Sequence, residues 1–281
     1  MNAERGPSAA DLDGPTQGES TTKRGLRDHW VGRLALRIAD RSLILVVIVV
    51  ITLLAQLIIT EAKVPAYTLP TPYEVLLVFK NQPGLLLNDT KTTLTEIAIG
   101  LSIGLLLGLI LGALIAESRL AQKLIAPFVI AAVSTPLIVF APLFAIWFGY
   151  GLTSKIVMIV LMTFAPLTVN VIQGFLSLDN DKYELMRSLS ASRLEINLKA
   201  RLPNALPYVF SGAKISAVMS VIAVVAAEFI GSTSGLGYTV YYAQTLEQSD
   251  LLIAAALILI VIGLTLFYTV AAIQKRVVFW Q

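Results

Sequence analysis

The sequence predicts an all-α integral membrane protein that crosses the bilayer six times. Composition comes first: the 281 residues are 56% hydrophobic and only 14% charged, where a soluble domain carries about 25% charged residues. Six apolar stretches then match the roughly 17–25 residues that a transmembrane helix needs. Lastly, Lys and Arg fall unevenly on alternate sides of those stretches, as the positive-inside rule requires.

The chain opens with residues 1–28, rich in Gly, Pro, Ser, Thr and charge, a composition that reads as a disordered cytoplasmic tail. The remainder, 29–281, reads as one membrane domain. Its first apolar run, Leu43–Ile59, is too long for the apolar region of a secretory signal and lacks a small-residue cleavage pattern after it, so it is expected to stay in the membrane. The other expected spans are Leu94–Ile115, Ile125–Phe148, Ile156–Leu176, Tyr208–Ile230 and Leu251–Ile273. Pro136 and Pro142 interrupt the third and Pro166 the fourth, interruptions that bundled membrane helices tolerate. With the N-terminus inside, sixteen Lys and Arg lie on the cytoplasmic side and four (Lys63, Lys80, Lys91, Lys155) on the other, with Lys214 just inside the fifth span. Both termini are then cytoplasmic.

Between the first two spans, Thr71-Pro72-Tyr73-Glu74 combines a capping Thr, a first-turn Pro and a Glu three residues after the cap. This capping box predicts a short external helix over Pro72–Phe79. Span two carries Gly100, Gly104, Gly108 and Gly112, whose four-residue spacing makes one flat face for another helix, within the chain or across a dimer.

Residues 180–203 are too polar to span a membrane but are patterned as helix. Tyr183, Met186 and Leu189 share a face, as do Leu194, Leu198 and Leu202. Ser192 and Glu195 form a second capping box, so one short helix should end near Ser190 and another begin after Ser192.

This segment resembles the EAA loop of ABC importer permeases: a Glu-Ala-Ala stretch, a Gly, and a Leu-Pro pair about a dozen residues on. Glu184 and Leu202-Pro203 match; Leu185 and Met186 replace the alanines, and Ser190 replaces the glycine. Leu69-Pro70-Thr71-Pro72, the run Trp147–Lys155, Ala227-Glu228-Phe229-Ile230-Gly231 and Gly235-Leu236-Gly237-Tyr238 resemble the nitrate/sulfonate/taurine class of these permeases. The resemblance implies a type I permease fold with cytoplasmic coupling helices, in the prokaryotic inner membrane. It implies a second permease copy, two ATP-binding-cassette subunits that bind ATP and Mg, and an external substrate-binding protein. It also implies ATPase coupling through Tyr183, Glu184, Met186, Arg187, Leu189, Ser190 and Ala191, with Tyr183, Met186 and Leu189 as the apolar anchor. For Glu184 a local alternative is open, a cap shared with Asp181.

The remaining polar groups in the spans are pathway or gate candidates: Ser134, Thr135, Asn170 and Glu228. Intramembrane ionisable groups usually face the protein interior or a water-filled route. The plainer alternatives are bonding of helix carbonyls for the first three and a hydrogen-bonded interfacial carboxylate for Glu228. Glu96, at the start of span two, is expected to stay at the interface.

Enzyme readings lack residues to carry them. There is no Cys, and the single histidine is His29, so thiol and histidine metal chemistry are excluded. No Gly-x-x-x-x-Gly-Lys-[Ser/Thr] occurs, so ATP hydrolysis by a P-loop must belong to another polypeptide, and no cofactor is expected here. The basic residues flank apolar runs, a membrane pattern rather than a nucleic-acid one. A stand-alone secondary transporter or channel is the runner-up, and a membrane scaffold the third reading; neither requires the polar helix pair at 180–203.

Overall fold

The computed structural model describes residues 46–280. The expected tail 1–28 and the start of the first span lie outside them. The chain divides into two units, residues 1–58 and 59–281. Of the first, the described residues belong to helix α1 (Val46–Glu61), with apolar side chains exposed on every face.

The second unit holds the other helices, and every regular element among the described residues is helical. A short helix α2 (Pro72–Asn81) starts where the sequence places it. Glu74 N donates to Thr71 Oγ1 at 3.3 Å, and Thr71 N donates back to Glu74 Oε2 at 2.7 Å. Helix α3 (Pro83–Glu117) has 35 residues, about 52 Å at 1.5 Å per residue. That exceeds the roughly 30 Å hydrocarbon layer, so its polar first turns, expected to precede span two, project beyond the layer.

The third expected span is broken, not kinked. Helix α4 (Arg119–Leu124) and helix α5 (Ala126–Ser134) are followed by a 3₁₀ turn (Leu137–Phe140) and helix α6 (Ala141–Phe148). The two halves meet at 83°. The cause is local: a residue before proline is driven out of the α region, and Thr135 is extended at φ −81°, ψ 130°.

Helix α7 (Leu152–Leu176) covers the fourth expected span and runs unbroken through Pro166. Helix α8 (Asn180–Ser188) and helix α9 (Arg193–Ile196) form the polar pair. A π-helical turn (Asn197–Arg201) leads into helix α10 (Leu202–Gly231), over the fifth expected span. Helix α11 (Leu236–Thr245) and helix α12 (Ser249–Val277), over the sixth expected span, follow. Four described helices are thus long and apolar enough to cross a membrane, five with the bent pair, and α1 is a shorter apolar helix.

The glycine strip faces inward. Along it α3 meets α7, and the backbones approach until no Cβ would fit. A Cβ on Gly100 would lie 2.6 Å from Ile159 Cβ, and one on Gly108 would lie 2.7 Å from the Phe164 carbonyl. Of the two partners open in the sequence, the strip takes the one in its own chain. Helix α10 also packs on α7, meeting Leu167 as α3 does, and the main core gathers Ile97, Met158, Ile159, Ala217, Val224, Leu236 and Ala255.

Candidate functional site: the polar helix pair and a buried charge cluster

The polar pair is built by its caps. Asp179 begins α8, its carboxylate accepting from Asp181 N at 3.1 Å. The cap belongs to Asp179, so the local role open for Glu184 is taken by another residue. At the far end Ser190 N donates to Arg187 O (2.9 Å) and Ala191 N to Met186 O (3.1 Å), the two bonds of a Schellman turn. That turn needs a left-handed residue, and Ser190 supplies it at φ 58°. Serine therefore stands, at some strain, where the resembled motif has glycine. The Ser192–Glu195 box then starts α9, with Glu195 N donating to Ser192 Oγ at 3.3 Å.

These caps fix which faces look out. Tyr183 and Met186 are half-buried, and the Arg201 guanidinium sits 5.2 Å from the Tyr183 ring centre. Arg201 also reaches Glu117 at 3.2 Å, which ties the pair to the end of α3. Leu185 and Leu189 are 61% and 73% exposed. Glu184 and Arg187 are exposed, and their side chains have no hydrogen bond or ion pair among the described residues. The expected anchor of Tyr183, Met186 and Leu189 is therefore split: the first two turn toward their own chain, and Leu185 joins Leu189 on the outer face.

The intramembrane candidates are not brought together. Ser134 Oγ donates to Ile130 O (3.1 Å), Thr135 Oγ1 to Ala131 O (2.7 Å) and Asn170 Nδ2 to Pro166 O (2.9 Å). All three satisfy carbonyls four residues back on their own helix, the plainer of the two readings.

Glu228 is fully buried in a cluster that sequence reasoning did not assemble. Asp89, Glu96, Lys155 and Glu228 are the buried charged residues among those described. Lys155 Nζ donates to Glu96 Oε1 at 2.6 Å and to Ser232 Oγ at 2.7 Å. Glu228 accepts from Thr93 Oγ1 at 2.8 Å and from Gly237 N at 2.6 Å. Asp89 accepts from Gly235 N at 3.0 Å and from the Thr239 hydroxyl. Leu236 N donates to Thr93 Oγ1 at 2.9 Å. Glu96 is thus a buried ion-pair partner. Its Oε2 is buried without a hydrogen-bond partner among the described residues.

Gly235 shows how tightly the loop is drawn in. Its φ of 111° favours glycine, and a Cβ there would collide with the Glu228 carboxylate. The cluster pins the starts of α3, α7 and α11 to the end of α10. Its ion pair and hydrogen bonds hold these elements together, and among the described residues no group of three or more His, Cys, Asp or Glu could hold a metal ion.

Comparison with known proteins agrees with this architecture. The family model described as binding-protein-dependent transport system inner membrane component matches residues 104–279. A probable ABC transporter permease protein of Haemophilus influenzae is 35% identical over 83% of this chain and 95% of its own length. The riboflavin transport system permease protein of Chloroflexus aurantiacus is 33% identical over 82% of this chain and 89% of its own. Among solved structures, the MetNI methionine ABC transporter in an inward-facing conformation superposes with a TM-score of 0.62. At 21% identity over 70% of this chain and 99% of that one, it shares the fold. The chain belongs to the inner-membrane components of binding-protein-dependent transport systems, the multi-pass permease subunits of ABC importers, which work with ATPase subunits and a substrate-binding protein.

Proposed function

We propose that two copies of this chain form the translocation pathway, with both termini cytoplasmic, and that each copy docks its ATPase through α8. One observation carries the docking assignment: a capped polar helix presents two leucines, Leu185 and Leu189, to solvent. Interfaces are dominated by a few buried anchors ringed by polar contacts. Leu185 and Leu189 are the anchor, with Glu184 and Arg187 beside them as the polar contacts. ATP and Mg are bound by the partner subunits. Closure of the ATPase pair draws the two docked helices together and tilts the spans from inward-open to outward-open.

The substrate is a small solute. The sequence resemblance to the nitrate/sulfonate/taurine class and the relative named for riboflavin transport favour a sulfonate, nitrate or vitamin-precursor class, chosen by the external binding protein.

The test is Leu189→Asp, which loads a charge onto the anchor. Loss of a buried apolar anchor costs about 2–5 kcal/mol, so the purified variant is expected to remain monodisperse but to lose its ATPase. Glu184→Ala is expected to reduce stimulation of ATP hydrolysis by binding protein more than it reduces assembly. Full ATPase association and transport in both variants would remove α8 as the coupling helix. Native mass of the wild-type complex is expected to show two copies with two ATPases; one copy beside a different permease would end the homodimer reading.

A further inference from the structure

A cavity of about 400 Å³ opens where the span ends meet the polar helix pair, lined by Glu117, Arg119, Gln122, Asn180, Arg193 and Arg201 among others. Its volume lies within the range of small-ligand sites, about 300–1,000 Å³. Three guanidinium groups face one carboxylate, and that carboxylate, Glu117, is already paired with Arg201. The guanidinium groups of Arg119 and Arg193 have no ion pair or hydrogen bond among the described residues. Planar, permanently charged guanidinium groups converging on one hollow match the oxygens of a phosphate.

The surroundings indicate where that phosphate comes from. The cavity wall includes Phe175 and Leu176 on the last turn of α7, and Ala116 and Glu117 at the end of α3, so it sits where apolar spans give way to polar helices. At the cavity's edge Leu176, on the last turn of α7, is 52% exposed. A charged hollow edged by a bare apolar side chain at the end of a span suits an amphiphile. Basic pockets at the cytoplasmic ends of spans are known to take anionic lipid headgroups.

We propose that this cavity holds the phosphate of an anionic phospholipid headgroup, with its acyl chains along Leu176 and the adjoining span surface. This rests on the membrane placement proposed above. One wall is Tyr183 under Arg201, so the lipid braces α8, the helix assigned to ATPase docking.

The test uses the permease purified with its ATPase subunits and reconstituted in nanodiscs of equal parts phosphatidylglycerol and phosphatidylcholine. Native mass spectrometry counts retained lipids and subunits in the same spectra. The wild-type complex is expected to retain phosphatidylglycerol over phosphatidylcholine. Arg119→Gln/Arg193→Gln is expected to weaken that retention about thirtyfold, each arginine near the surface contributing about fivefold, with the ATPase still bound. Equal retention of the two lipids, or unchanged phosphatidylglycerol in the double variant, would overturn the proposal. Loss of the ATPase with lipid unchanged would make the cavity a protein contact. In delipidated complex titrated calorimetrically with inorganic phosphate, binding as tight as that of phosphatidylglycerol would overturn the lipid assignment. Absence of the ATPase from the wild-type spectra would count against the docking assignment alone.

Discussion

Replacing Lys155 by methionine removes the cation from the buried cluster while keeping most of the side-chain volume. In the wild type its ammonium lies 2.6 Å from Glu96, with side chains 7% and 3% exposed. Without it, three carboxylates (Asp89, Glu96 and Glu228) share a site from which water is excluded. Removing one partner of a buried pair costs about 3–5 kcal/mol, because the other charge is left uncompensated. At about 2–4 °C per kcal/mol for a chain of this size, the expected fall in Tm is about 6–20 °C. Fluorescence-detected thermal unfolding in detergent measures it. The double variant Lys155→Met/Glu96→Gln removes both charges and is expected to recover most of the loss, since a pair replaced as a unit is often nearly neutral. A single variant as stable as wild type, or a double variant no better than the single, would refute the view that the ion pair fastens this end of the bundle.

Ser190→Gly relieves a left-handed residue at φ 58° and is expected to raise stability by about 1 kcal/mol, with ATPase coupling intact; a lowered Tm would count against the turn geometry. Gly108→Val is expected to cost at least the 1–3 kcal/mol typical of overpacking, because its side chain would enter the Phe164 carbonyl; unchanged Tm and expression would deny the close α3–α7 contact. Reporters inserted within Thr233–Asp250 are expected to read external and those within Asp181–Arg201 cytoplasmic, and a cytoplasmic signal from the first would overturn the topology.

Local chemistry was legible in the sequence wherever one window held the whole device. Thr71 with Glu74 and Ser192 with Glu195 each lie three residues apart, and both capping boxes formed where the spacing put them. The break at Thr135-Pro136 was half visible: the prolines were evident, but tolerance of a kink and an 83° fold look alike until the packing is known. The charge cluster was missed because its members are far apart, with Glu96 and Lys155 separated by 59 positions and Thr93 and Glu228 by 135. Taken singly, each reads as an interfacial polar residue. One signal was present: Asp89, Thr93 and Glu96 follow the spacing of one helix face, and that face continues into Gly100, Gly104, Gly108 and Gly112. A polar stripe feeding a glycine stripe marks a side turned wholly toward protein. Leu185 facing outward could not be read from periodicity alone, since α8 has apolar residues on both faces.

The seam between α3 and α7 also decides how force travels. The side chains of Ile159, Thr163 and Val171 press directly on the bare α3 backbone at Gly100, Gly104 and Gly112, with little slack to absorb displacement, so α3 and α7 are expected to move as one beam. Only Ser177, Leu178 and Asp179 separate α7 from α8, so a push on α8 enters that beam almost undamped. On the return path, α9 reaches α10 through a π-helical turn, with Pro203 and Pro207 just beyond, a run where the hydrogen-bond ladder is loosened and bending is cheap. The two arms leaving the docking segment are therefore unequal in compliance. Under the docking proposed above, the stiff arm would carry the stroke toward the buried charge cluster, while the soft arm would absorb the mismatch and let α10 follow without the bundle coming apart.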